Sequence, residues 1–302
     1  MRLYSFPHIG PFTDVFADTS LRWLGVDYIK PPAVTRRTIE LGVRHSPEMV
    51  CFPFKVVLGS IIETIEKGAT HIAMFNTQGT CRFRHFHQVH QHILDKAGYS
   101  TRIVTLEHRN IVKSLRRIND SNSINLFRGF LKTIDACKKT ETMLRPSNPD
   151  GHPRIGIVGE IYTVLEPGVN NDIIKKLEAM GCHVDIQLRM SGFLKKHRPF
   201  VRQEKQVETR MSYRLLRQPI GGHARESIIN MLYFARKGYD AVLHLAPLTC
   251  MPEITVEPIL EKIADDFQIP LYKFAFDENS AEANLNTRLE TIVEMLRDGN
   301  RN

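Results

Sequence analysis

Short apolar runs alternate with helix-like stretches along almost the whole chain, and this alternation restricts the fold more than any other feature. In the first half, residues 26–29, 69–75 and 101–106 read as strands. Residues 53–67 and 85–97 read as helices closed by Gly68 and Gly98, the expected punctuation just past a helix. The second half restarts the pattern, with strands at 154–160, 182–186, 239–245 and 270–276. Its helices fall at 170–180, 224–237, 254–267 and 287–297. Strand and helix alternating at this spacing predict an α/β fold with mostly parallel sheets.

A polar, helix-like stretch at 119–144 runs into Arg145-Pro146-Ser147-Asn148-Pro149-Asp150-Gly151-His152-Pro153. Prolines and a glycine so closely spaced mark a linker. Two Rossmann-like halves are therefore expected, 1–150 and 151–302, with a cleft between them. A chain of 302 residues is long enough to give each half its own core.

The opening residues lack an uninterrupted apolar core, so no signal peptide is expected and the cytoplasm is the expected compartment. No run approaches the roughly 20 apolar residues of a membrane span. The formal charge is +8, and between Arg189 and Arg217 nine Lys or Arg face only Glu204 and Glu208. That segment reads as a solvated face, as a binder of phosphates, or as a dock for an acidic redox partner. Nucleic acid is disfavoured, because aromatic residues are sparsely interleaved.

Three of the five cysteines lie in turn-like contexts: Cys51-Phe52-Pro53, Gly79-Thr80-Cys81 and Thr249-Cys250-Met251-Pro252. Cys81 and Cys250 each follow a strand-like run, and side chains just past strand ends face the crevice where ligands bind. Three thiolates meeting there would suit an iron–sulfur cluster or another soft metal. Three buried structural thiols are the plainer alternative. No Cys-x-x-Cys pair is present, which argues against structural zinc.

These residues carry a family resemblance. Cys51-x-Pro53-x-Lys55-x-x-x-Gly59, Gly79-x-Cys81-Arg82, Gly156-Ile157-Val158-Gly159-Glu160-Ile161-Tyr162, Cys250-Met251-Pro252-Glu253, and Asp277-Glu278 with Thr287-Arg288-Leu289-Glu290 follow one another in order over almost the whole chain. The ordered set resembles the 2-hydroxyacyl-CoA dehydratase and benzoyl-CoA reductase subunit superfamily. The nearest likeness is to its stand-alone, acyl-CoA dehydratase activase-related branch. The resemblance implies a [4Fe–4S] cluster on Cys51, Cys81 and Cys250, with a fourth iron open. It also implies an ATP-hydrolysing activase of the actin/Hsp70 type that delivers a low-potential electron, an acyl-CoA-type substrate, and a homo- or heterodimer.

Around such a cluster, Lys55 and Arg82 would tune the potential. Glu160, at the end of a strand, would move a proton or simply cap a turn. His85, His87, His90 and His92 read as surface or packing groups, and Cys137 and Cys182 as ordinary buried cysteines. Asp277, Glu278 and Arg288 read as a charge and capping network, and the pair Gly221 and Gly222 as a turn or an anion-holding helix start. The first functional reading is an oxygen-sensitive protein of reductive metabolism acting on an acyl-CoA. The second is a non-catalytic electron relay or cluster scaffold. A metal-free, two-domain nucleotide-binding protein is the third.

Overall fold

The strands form along short apolar runs, and every strand pairing among the described residues is parallel. The computed structural model describes residues 2–76, 79–107, 110–119, 122–143, 152–195, 205–280 and 282–299. The chain divides into two units. The first comprises residues 1–142 and 189–200, and the second comprises 143–188 and 201–302. The linker expected at 145–153 lies almost wholly outside the described residues.

In the first unit the sheet runs β1 (Tyr4–Ser5), β2 (His71–Asn76) and β3 (Arg102–Glu107), in that order. Residues 26–29 do not form the expected strand. Tyr28 makes one isolated parallel bridge to Tyr4, between hydrogen bonds from Tyr4 N to Asp27 O and from Ile29 N to Tyr4 O. Pro31 and Pro32 follow at once and lack the N–H a longer ladder needs. Around the sheet lie α1 (Arg36–His45), α2 (Phe52–Glu66), α3 (Phe86–Lys96), α4 (Ile111–Arg116) and α5 (Ser123–Met143). One core joins Tyr4, Phe6, Leu21, Leu24, Val104, Leu115 and Leu126.

In the second unit the sheet order is β5–β4–β6–β7, built from β4 (Arg154–Gly159), β5 (His183–Ile186), β6 (Ala241–Pro247) and β7 (Leu271–Phe276). The connecting helices are α6 (Ile161–Leu165), α7 (Pro167–Asn170) and α8 (Ile173–Ala179), with α9 (Met190–Lys195) assigned to the first unit. There α9 is anchored on α5: the Glu141 carboxylate accepts hydrogen bonds from Ser191 N and Ser191 Oγ, both at 2.7 Å. Then come α10 (Gln206–Leu215), α11 (Ala224–Arg236), α12 (Met251–Phe267) and α13 (Glu282–Gly299). The core joins Val158, Ile228, Met231, Phe234, Val242, Val256 and Leu260.

The second sheet grows outward from β4 in both directions. The chain steps from β4 to β5 on one side, then crosses to β6 and β7 on the other. The carboxyl ends of β4 and β6 flank that reversal, the position where open parallel sheets bind ligands. Among the described residues, no helix is long and apolar enough to cross a membrane.

Candidate functional site

Cys51, Cys81 and Cys250 each occupy a helix N-cap. Cys51 caps α2 at φ −65°, ψ 148°; Cys250 caps α12 at φ −74°, ψ 102°. Cys81 caps the 3-10 turn Arg82–His85, which leads into α3, at φ −60°, ψ 132°. In each case the side chain makes no capping hydrogen bond. Cys51 and Cys250 also share a Cys-x-Pro start, with the proline at a helix position whose N–H would have no intrahelical partner. A helix N-terminus favours a thiolate over a thiol. The remaining cysteines differ. Burial, and then Glu141, push the Cys137 thiol up to about 12, and burial raises that of Cys182.

In the first unit, connectivity places the start of α2 and the turn after β2 at the same carboxyl edge of the sheet. Arg82 ties the two cysteine loops together, its Nη1 donating to Met49 O at 3.2 Å. Beneath them the first turns of α2 and α3 pack through aromatic rings. The Phe54 ring lies 4.9 Å from Phe86 and 4.1 Å from His90, centroid to centroid. His90 is fully buried, with Nε2 at 3.1 Å from Phe54 O. Burial lowers its pKa to about 3, so it is a neutral packing group. Lys55 is buried, one helical turn beyond Cys51. His85 pairs with Gln88, and His92 is exposed.

In the second unit, β6 ends in a tight turn closed by Cys250 N donating to Pro247 O at 3.0 Å. Its third residue, Thr249, sits at φ 63°. That left-handed position suits glycine, and a β-branched side chain there is strained. Three residues past Cys250, the Glu253 carboxylate is fully buried. Its Oε2 lies 2.9 Å from His244 Nε2 and accepts from Ser227 Oγ at 2.9 Å, while Oε1 is enclosed without a hydrogen-bond partner. Ser227 Oγ also faces Gly159 O at 3.5 Å. Gly159 is required here: at φ 140°, a Cβ would lie 1.9 Å from Leu245 O. This Ser–Glu–His cluster is absent from the sequence reading, because its members lie on three different elements and share no periodicity.

Glu160 follows Gly159 and caps α6. Its Oε1 accepts from Tyr162 N at 3.0 Å, and Oε2 from Thr163 N at 2.8 Å and Thr163 Oγ1 at 3.0 Å. Burial raises its pKa, while these hydrogen bonds and the nearby His223 pull the other way. Glu160 thus fills the capping role and still lies at the sheet reversal. Gly221 and Gly222 are both left-handed and lead into α11 through His223. Asp277 Oδ1 accepts from Asn279 N and Ser280 Oγ, both at 2.9 Å, and Arg288 donates to Lys273 O while stacking on Phe274. Of the basic segment at 189–217, residues 196–204 lie outside the described residues.

The three helix-capping cysteines are divided, with two in the first unit and one in the second. Among the described residues, neither unit gathers three or more His, Cys, Asp or Glu side chains into a group able to hold a metal. Comparison with profiles of known protein families finds no match, and comparison with curated proteins finds none either.

Proposed function

We propose that this chain is an iron–sulfur protein of reductive metabolism in which Cys51, Cys81 and Cys250 together hold a [4Fe–4S] cluster. The observation that carries the reading is their shared place: each is the non-helical N-cap residue of a helix or 3-10 turn, Cys51 of α2, Cys81 of the turn leading into α3 and Cys250 of α12. Oriented backbone N–H groups at such positions stabilise thiolates and their sulfide neighbours. When bound, the cluster supplies low-potential electron transfer and an iron without a protein ligand.

The chain's own residues hold and tune that site. Arg82 fixes the Cys51 loop to the Cys81 loop and brings a positive charge beside both. Lys55 brings a second basic side chain, buried one turn from Cys51. Thr249 pins the turn that presents Cys250. Glu160, with its proton affinity raised by burial, is the proton-holding group at the carboxyl end of β4. The electron donor in this reading is an ATP-hydrolysing activase of the actin/Hsp70 type, and the substrate is an acyl-CoA. The chain carries no phosphate-binding glycine loop, so hydrolysis belongs to the activase.

Electron paramagnetic resonance of the anaerobically purified, dithionite-reduced protein tests the reading. A [4Fe–4S]⁺ signal that shifts on adding a 2-hydroxyacyl-CoA, but not free CoA, supports a substrate-binding cluster. A cluster signal indifferent to both leaves an electron relay, and protein that shows no signal and contains no iron or acid-labile sulfide removes the cluster.

A further inference from the structure

The outer face of α5, in the first unit, presents apolar and basic side chains together. Its inner face is used by the core, through Leu126, Gly129, Thr133, Ile134 and Cys137. On the other side Ile124 is 60% exposed and Phe127 43% exposed, three residues apart on neighbouring turns. Arg128 and Lys132, also exposed, continue the ridge from Ile124 at i+4 and i+8.

Trp23, the chain's one tryptophan, is fixed along the far side of that ridge. Gly129 makes room for it, since any Cβ there would collide with the indole. The indole Nε1 donates to Asn125 O at 2.9 Å, and Lys132 Nζ lies over the ring, 4.1 Å from its centroid. With its N–H satisfied and its position set, Trp23 is still 39% exposed.

The charge around these three side chains has one sign. From Ile111 to Lys139 the sequence carries seven Lys or Arg against Asp120 and Asp135. Both acidic groups of α5 are engaged, Asp135 by Lys138 at 3.2 Å and Glu141 by Ser191. Arg116 reaches the start of the helix, donating to Ser123 Oγ. Arg22, beside Trp23, and Arg128 have no ion-pair partner among the described residues.

We propose that this face docks on an anionic lipid bilayer, with Trp23, Ile124 and Phe127 entering the interface and Arg22, Arg128 and Lys132 meeting lipid phosphates. An aliphatic side chain beside an indole and a phenyl ring, rimmed by cations, matches the boundary between headgroups and acyl chains. Nucleic acid fits less well, because Lys132 occupies a face of the Trp23 ring on which a base would stack, and Ile124 offers no stacking surface. The inference does not depend on the cluster.

Trp23 reports its own environment, so fluorescence of the full chain mixed with vesicles tests the proposal. With phosphatidylcholine vesicles containing about a third phosphatidylglycerol, Trp23 emission is expected to shift to the blue and to be quenched by brominated acyl chains. Pure phosphatidylcholine, or about 500 mM salt, is expected to weaken binding at least ~10-fold. Arg128→Glu/Lys132→Glu is expected to weaken it at least ~30-fold, and Ile124→Ser/Phe127→Ser at least ~10-fold. Circular dichroism and thermal melting confirm that both variants are folded. Wild-type protein that ignores anionic vesicles overturns the proposal, as does binding indifferent to lipid charge, or binding without quenching of Trp23. So do folded variants that bind as the wild type does. A single-stranded oligonucleotide that quenches Trp23 where vesicles do not also overturns it, and makes the face a nucleic-acid surface.

Discussion

Thr249 is the residue at which local backbone energy and the candidate site meet. A non-glycine residue held at φ 63° costs about 1–3 kcal/mol, and this one directly precedes Cys250. Thr249→Gly is expected to raise stability by about 1 kcal/mol in urea unfolding, while lowering retention of iron through a looser Cys250 turn. Unchanged stability would mean that the strain is not there. Glu253 carries the opposite sign. Glu253→Ala leaves buried Ser227 and His244 facing a void and is expected to cost about 2–4 kcal/mol, with Glu253→Gln milder because an acceptor oxygen remains. His90 sets a pH dependence. Its folded pKa of about 3 lies below the usual ~6.5, so between these values the unfolded chain binds a proton that the folded chain does not. The stability tied to neutral His90 is complete above pH ~6.5 and falls by about 1.4 kcal/mol per unit as pH drops toward 3. His90→Gln is expected to flatten that slope in urea unfolding between about pH 6 and 4, and an unaltered slope would contradict the assignment.

At the scale of elements, α2 is the support on which the first unit's cysteines rest. It is buried from Phe52 to Thr64, and α1 crosses it so closely that a Cβ at Gly59 would lie 1.8 Å from Thr38 O. The same crossing brings Thr38 Oγ1 to Glu63 Oε2 at 2.6 Å and Arg37 to Glu63 at 3.1 Å. Gly59→Ala is expected to force the helices apart and cost about 3 kcal/mol, visible as a fall of several degrees in Tm. Little of this could be read from the sequence, because the residues α1 buries fully are Thr38 and Gly42, neither of which carries a strong apolar signal. β1 spans two residues, too few for any periodicity. The longer parallel strands are legible to within about two residues, the inner ones because burial on both faces makes them continuous apolar runs, and the edge strands β3 and β7 because buried and more exposed residues alternate along them. The helices expected to start at 53 and 254 begin at 52 and 251. Both helices include a proline near their start, Pro53 and Pro252, because a proline in the first helical turn gives up no hydrogen bond. That shift is what converts Cys51 and Cys250 from loop residues into helix caps.

For the whole molecule, the alternation of strand and helix correctly implied parallel sheets, but not the return of α9 to the first unit. Only the long-range bonds between Glu141 and Ser191 reveal it, and a local pattern carries no such information. The central claim likewise spans the chain, because its three ligands are divided between two units and none can hold a cluster alone. Iron and acid-labile sulfide analysis of anaerobically purified protein, set beside Cys51→Ala, Cys81→Ala, Cys250→Ala and the control Cys137→Ala, tests it most directly. The account predicts about four irons and four sulfides per chain, kept in Cys137→Ala and lost in each of the other three folded variants. Iron-free wild-type protein, or a cluster untouched by any of the three substitutions, would contradict it.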